Sequence, residues 1–266
     1  MTSLRSTIAA AQQAGRAALV GYLPAGYPSV EGSIELVQRM VKAGVDIVEV
    51  GLPYSDPVMD GPTIQAAAEV ALAAGTRTAD VFRVVEASAA LAPTVVMTYW
   101  NPVERYGIDQ FAASLADAGG VGLITPDLIP EEAGEWIEAA DRRGLDKIFL
   151  VAPSSTRRRL ELTSQASSGF IYATAVMGVT GAREQSSSAA PELVRRVKEV
   201  TDLPVGVGLG VSTRVQAAEV ALFADAVIVG SALVHAIAGE ANPTDAMAAL
   251  GALVEDLALG VRRELE

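Results

Sequence analysis

Short apolar runs rich in β-branched residues recur along the chain, separated by longer stretches whose apolar positions return every three or four residues. The runs at 17–23, 46–51, 94–99, 121–124, 147–151, 169–173, 204–208 and 225–229 predict strands. Helical spacing covers 3–14, 30–43, 63–74, 78–90, 108–118, 131–143, 156–166, 190–200, 212–222 and 243–264, and Ser231 opens a further helix. Near-continuous Val, Ile and Leu strands between amphipathic helices signify a parallel sheet covered on both faces. Eight such units in 266 residues predict a single (β/α)8 barrel domain over 1–266, with an extra helix ahead of the first strand. A doubly wound open sheet is the alternative. In a barrel, chemistry belongs on the loops after the strands' C-terminal ends.

The stretch 46–62 breaks the pattern in an informative way. Alternation along the strand sends Ile47, Glu49 and Gly51 one way and Val48 and Val50 the other. Glu49 therefore lies on a face that should be apolar. An ionised carboxylate there is costly to desolvate, so Glu49 is paired, protonated with a raised pKa, or placed for chemistry. The loop that follows, rich in Gly, Pro and Asp, brings a second carboxyl, Asp60.

Three later turns share a different character. They are Gly178-Val179-Thr180-Gly181-Ala182-Arg183, Gly208-Leu209-Gly210-Val211-Ser212, and Gly230-Ser231 at a helix start. Tight βα turns need glycine for structural reasons alone. Glycine also lets backbone amides approach a ligand, and a helix N-terminus adds positive partial charge, so such turns can hold a phosphate without lysine. Phosphate sites after the last two strands recur in this barrel.

Composition removes several chemistries. The chain has no cysteine, which excludes disulfides, thiolate nucleophiles and cysteine-bound zinc. Its one histidine, His235, lies within a helix and cannot furnish a typical zinc site, so no metal is expected. Of the three lysines, Lys42 and Lys198 fall on helices and Lys147 starts a strand at the end opposite the catalytic loops, which argues against a Schiff base. A net charge of -12 argues against nucleic acid and anionic membranes. No apolar window is long enough for a membrane helix and the N-terminus lacks a signal-peptide plan, so a cytoplasmic protein is expected. Carboxylates remain for proton transfer, and Glu49 with Asp60 is the natural pair. Arg157-Arg158-Arg159 fits a solvated helix start, while Trp100, Asn101, Asp56 and Pro57 flank the catalytic face and suit a partner surface.

The run Val48-Glu49-Val50-Gly51-Leu52-Pro53-Tyr54-Ser55-Asp56-Pro57-Val58-Met59-Asp60-Gly61-Pro62-Thr63-Ile64-Gln65 closely resembles the signature of the tryptophan synthase alpha chain family. The likeness continues through Tyr22-Leu23-Pro24-Ala25-Gly26, Asn101-Pro102, Tyr172, Gly178 to Gly181, Gly208 to Ser212, and Gly230-Ser231, in family order. The resemblance implies a (β/α)8 barrel that cleaves indole-3-glycerol phosphate to indole and glyceraldehyde 3-phosphate. It also implies an alpha2beta2 assembly in which indole passes to a beta subunit carrying pyridoxal phosphate, with no cofactor in this chain.

By the same resemblance Glu49 and Asp60 match the catalytic carboxylates, and Gly181, Gly210, Gly230 and Ser231 match phosphate-loop positions. Tyr172 and Thr180 match the pocket and its mobile sixth loop. Tyr22, Ile64 and Met97, with Leu52 and Ile124, are expected to line the indole pocket, although core packing also accounts for them. Tyr22 and Leu209 stand where the family commonly has phenylalanine, and Met59 where alanine is usual. Two rivals remain: another phosphate-binding barrel enzyme, and a subunit that only activates a partner.

Overall fold

Residues 3–174, 189–208, 210–240 and 242–262 are described in a computed structural model. Each predicted strand forms, as β1 (Ala18–Pro24), β2 (Ile47–Gly51), β3 (Thr94–Met97), β4 (Gly122–Ile124), β5 (Asp146–Ile148), β6 (Leu150–Val151), β7 (Ile171–Thr174), β8 (Val205–Gly208) and β9 (Ala226–Val229). All pairings are parallel, in the order β5-β4-β3-β2-β1-β9-β8-β7-β6. The expected single strand over 147–151 is two segments interrupted at Phe149. β5 pairs with β4 and β6 pairs with β7, while the Phe149 carbonyl accepts the Tyr172 N–H at 3.2 Å. The broken fifth strand thus joins the two ends of the sheet, and the eight-position barrel, not the open sheet, is what forms.

The helices are α1 (Leu4–Gln13), α2 (Val30–Ala43), α3 (Pro62–Ala73), α4 (Thr78–Ala89), α5 (Trp100–Tyr106), α6 (Ile108–Asp117), α7 (Gly134–Arg143), α8 (Arg157–Ala166), α9 (Ala189–Lys198), α10 (Arg214–Ala221), α11 (Ser231–Ala238) and α12 (Pro243–Gly260). Local chemistry sets many of their starts. The side chains of Ser3, Ser29, Thr156, Thr213 and Asn242 each accept an amide of the first turn. Two helical features differ from expectation. The pattern at 131–143 divides into a 3-10 turn, Pro130–Glu132, and α7, because Pro130 and Gly134 interrupt a continuous α-helix. Trp100 to Tyr106, expected as loop, form α5; Pro102 falls in its first turn, where no intrahelical N–H donor is required.

Strand alternation sorts the apolar residues into two layers. Val20, Ile47, Val95, Ile124, Ile148, Phe170 and Ile228 fill the barrel interior, together with Leu4, Ile8 and Ala11 of α1. Val48, Val50, Val96, Leu123, Val207 and Val227 face outward against the helices, where Met40, Leu115, Trp136 and Leu250 meet them. Helix α1 therefore caps the N-terminal end of the barrel. Each of its fully buried Leu4 and Ile8 side chains contributes about 1.5–3 kcal/mol. Among the described residues the C-terminal end has no such plug, and polar side chains gather there. Among the described residues, no helix is long and apolar enough to cross a membrane.

Candidate active site

Glu49 is the third residue of the entirely buried strand β2 and lies in register between Tyr22 of β1 and Val95 of β3. By alternation it shares the inward face with Ile47, as the sequence led one to expect. It is 1% exposed, and its Oε2 has no hydrogen-bond partner among the described residues. Burial, then the charge of Asp60, pushes the Glu49 carboxyl up to about 8. At neutral pH it is largely a neutral acid with a proton to give.

Asp60 is half-buried on the loop between β2 and α3. Burial raises its pKa and a hydrogen bond from the Tyr99 hydroxyl opposes that rise. Gln65 donates from Nε2 to the Asp60 carbonyl at 2.7 Å, tying the end of the loop to the first turn of α3. The tyrosines report how these groups converge. Tyr22 is driven well above its ordinary pKa by burial and then by the charges of Asp60 and Glu49. Tyr172 is driven up by burial and then by Glu49 and Asp60. Two carboxyls and two phenols from β1, β2, β7 and the intervening loop therefore surround one space at the barrel mouth.

Glycine makes this crowding feasible. A Cβ on Gly51 would lie 2.2 Å from the Tyr22 hydroxyl oxygen, so the phenol rests directly on the β2 backbone. A Cβ on Gly208 would lie 2.6 Å from the Tyr172 hydroxyl, and one on Gly230 would lie 3.3 Å from the Tyr22 ring. The glycine turns after β8 and β9 thus sit on the same mouth as the carboxyls. Gly230 precedes α11, whose first amides have no intrahelical acceptor and carry the helix's positive end. Gly210 has φ +68°, a conformation that strongly favours glycine. Ser231 is half-buried in the first turn of α11.

The apolar candidates divide. Ile64 in the first turn of α3, Leu52 and Met97 are half-buried, and the Leu52 N–H bonds the Met97 carbonyl at 3.0 Å. Ile124 is completely enclosed in the inner layer. Thr180, Gly181, Arg183 and Leu209 lie outside the described residues. His235 is exposed on α11, and Lys198 pairs with Asp225 at 3.0 Å. Lys147, at the N-terminal end, pairs with Asp141. Arg157 and Arg159 form exposed ion pairs with Glu161 and Glu131, in keeping with a solvated face. Among the described residues no three His, Cys, Asp or Glu side chains gather to hold a metal ion.

Tyr99 was not singled out by sequence reasoning, yet it contacts the loop that holds Asp60. Its hydroxyl accepts the Met59 N–H at 2.9 Å and donates to the Asp60 carboxylate. The signal was available: Val95, Met97 and Tyr99 share one parity, so extending the strand's period two residues past its end points Tyr99 inward. Further out on the rim, Tyr54 stacks on Tyr99 with centroids 5.4 Å apart, and Asn101 donates to the Tyr54 hydroxyl at 3.1 Å. Asp127 accepts the Trp100 N–H at 2.9 Å, anchoring α5. Val58 is 69% exposed beside exposed Asp56 and half-buried Pro57.

Comparison with known proteins agrees with this geometry. The family model for the tryptophan synthase alpha chain matches residues 8–261. The tryptophan synthase alpha chain of Acidothermus cellulolyticus is 60% identical over 264 residues, 99% of this chain and 98% of that one. That of Mycobacterium avium is 62% identical over 249 residues, covering 93% and 90% of the two chains. A structure of Mycobacterium tuberculosis tryptophan synthase superposes with TM-score 0.91 at 57% identity, covering 97% of this chain and 98% of that one. A tryptophan synthase alpha chain from Legionella pneumophila has TM-score 0.86 at 33% identity, covering 98% and 97%. The chain belongs to the tryptophan synthase alpha chain family, and its reaction is the family's cleavage of indole-3-glycerol phosphate to indole and glyceraldehyde 3-phosphate.

Proposed function

We propose that Glu49 and Asp60 carry this cleavage as a retro-aldol reaction, with Glu49 moving the protons and Asp60 holding the indole nitrogen. The observation that supports it best is the buried Glu49 carboxyl, whose Oε2 has no partner among the described residues and whose pKa is raised to about 8, facing a second carboxyl across one mouth. Neutral Glu49 donates its proton to indole C3. The indole N–H donates to the Asp60 carboxylate, which stabilises the cationic indolenine so formed. The resulting Glu49 carboxylate then takes the proton of the glycerol hydroxyl next to the ring. As that oxygen becomes an aldehyde, the carbon–carbon bond breaks and its electron pair restores the aromatic indole. Glu49 ends the cycle protonated.

In this reading the indole lies against Tyr22, Ile64, Met97 and Tyr172, and the phosphate is held by main-chain amides around Gly210, Gly230 and Ser231, with Thr180 and Gly181 completing the site. The positive end of α11 and the glycine turns supply the attraction that an acidic chain with few lysines lacks elsewhere. The indole ring acts as its own electron sink, so this chain needs no cofactor, and pyridoxal phosphate belongs to a beta subunit in an alpha2beta2 assembly. The rim formed by Asp56, Pro57, Val58, Trp100 and Asn101 is the surface offered to that subunit, and the assembly works in the cytoplasm.

Single-turnover cleavage of indole-3-glycerol phosphate tests the assignment. Glu49→Gln and Asp60→Asn are each expected to lose about 10²- to 10⁴-fold, the range for a lost general acid or base. Losses under about tenfold reject it.

A further inference from the structure

We propose that Tyr99 is a positioning residue for the reaction: its hydroxyl clamps the loop after β2 so that the Asp60 carboxylate is presented to the substrate in one orientation, and Tyr54 and Asn101 extend that clamp to the rim. The proposal rests on the reading of Asp60 given above and goes beyond it by naming what holds that carboxylate.

The geometry is a continuous series of contacts. Asn101, in the first turn of α5, donates from Nδ2 to the Tyr54 hydroxyl at 3.1 Å. The Tyr54 ring lies on the Tyr99 ring with centroids 5.4 Å apart and planes tilted by 37°. The Tyr99 oxygen accepts the Met59 N–H at 2.9 Å, meets the amide of Asp60, and donates a hydrogen bond to the Asp60 side chain. One buried phenol thus fixes both the main chain and the side chain at a single loop position. Tyr99 is itself 5% exposed and follows β3 directly, so it is a rigid post set beside a half-exposed loop. A stack of two aromatic rings and three polar contacts is more than packing requires. An apolar side chain would fill the same space and leave the Met59 amide unsatisfied and the carboxylate free to rotate.

The hydrogen bond also favours ionised Asp60, the form that accepts an indole N–H. The groups that face Asp60 are Glu49 of β2, Tyr22 of β1, Tyr99 after β3 and Tyr172 of β7. Burial pushes Asp60 up and, among the described residues, only Tyr99 pulls it down, so removal of that hydroxyl leaves the rise unopposed.

The test uses the full chain and indole-3-glycerol phosphate, with kcat, KM and their pH profiles measured for Tyr99→Phe and Tyr99→Leu. The expected result for Tyr99→Phe is a kcat lowered about tenfold or more, KM within about threefold, and an acid limb of kcat displaced to higher pH. Placing 3-fluorotyrosine at position 99 alone preserves the shape and makes a stronger donor. It is expected to move the acid limb the opposite way, to lower pH, which keeps the test decisive if Tyr99→Phe folds poorly. If Tyr99→Phe matches the parent in kcat and pH profile and only Tyr99→Leu is impaired, the ring merely packs and the proposal is overturned. A profile unmoved by 3-fluorotyrosine overturns it equally. Were Asp60→Asn itself harmless, the reading of Asp60 would fail first, and that variant run in parallel separates the two failures.

Discussion

Two buried carboxyl groups at opposite ends of one barrel show how position divides stability from chemistry. Asp225 precedes β9 at the N-terminal end and is almost fully enclosed. It accepts from Gln12 Nε2 at 2.7 Å, from the Val205 N–H at 2.9 Å and from Lys198 Nζ at 3.0 Å. Asp46 repeats the arrangement ahead of β2, holding Arg16 through two bonds of 2.6 and 2.7 Å and the Leu19 N–H at 2.8 Å. These aspartates stitch one strand's start to the next. Glu49, at the opposite end, is buried as deeply, yet among the described residues one of its oxygens has no partner and no cation faces it. Where donors surround a carboxylate it stabilises the fold, and where they are withheld it is kept protonated and available. The lesson is that burial alone does not distinguish structure from function; the number of donors does.

The contrast can be broken from the stable end first. Asp225→Ala removes acceptors for a strand amide, a glutamine and a lysine, and is expected to cost about 3 kcal/mol with kcat unchanged. For a chain of this size that lowers Tm by roughly 6–12 °C in calorimetry. Unchanged stability would show that the N-terminal carboxylates are ornamental.

At the other end the sign reverses. The Glu49 carboxyl has a folded pKa of about 8 against an ordinary value of 4.5. Below pH 4.5 it is neutral in both states; from there to about 8 the unfolded chain ionises while the folded chain does not, so stability drains away through that window and levels off above it. Glu49→Gln should remove this loss. Its stability relative to the parent is expected to rise with pH across the window, by on the order of 4 kcal/mol between its acid end and pH 8, read by urea denaturation at several pH values. A gain that does not grow with pH would contradict the raised pKa.

Smaller effects sharpen the mouth's geometry. Gly51→Ala places a methyl 2.2 Å from the Tyr22 hydroxyl, so the phenol must move; a loss of about 1–2 kcal/mol and a KM raised severalfold are expected, from denaturation and steady-state kinetics. Gly210→Ala meets no neighbour within 4 Å but needs φ near +68°, so about 1 kcal/mol of strain and a modest rise in KM are expected. If Gly210→Ala left KM unchanged, that turn would be structural only.

Much of this was legible along the chain. Runs such as Val95 to Met97 and Val227 to Val229 are apolar on both faces, and only a parallel sheet covered on both sides satisfies them. Period-two alternation by itself also turns Glu49 toward the barrel interior. Other features are invisible in one dimension. Nothing near Phe149 signals that the fifth strand divides there, because the division depends on which neighbours β5 and β6 meet across the sheet. Tyr99 looked like one more aromatic beside Trp100; only closure of the loop after β2 over β3 brings Met59 and Asp60 to its hydroxyl.

The sequence by itself determined the alternation of strand and helix, the inward direction of Glu49 and the glycine turns, because these follow from local periodicity and from what each residue's backbone can adopt. The tertiary structure alone decided that one Glu49 oxygen lacks a partner among the described residues while Asp225 has three, that Asp60 and the two inward tyrosines converge on it, and that Tyr99 holds the loop between them. Hydrogen-bond satisfaction and desolvation depend on neighbours remote in the chain, and barrel closure is what chooses those neighbours.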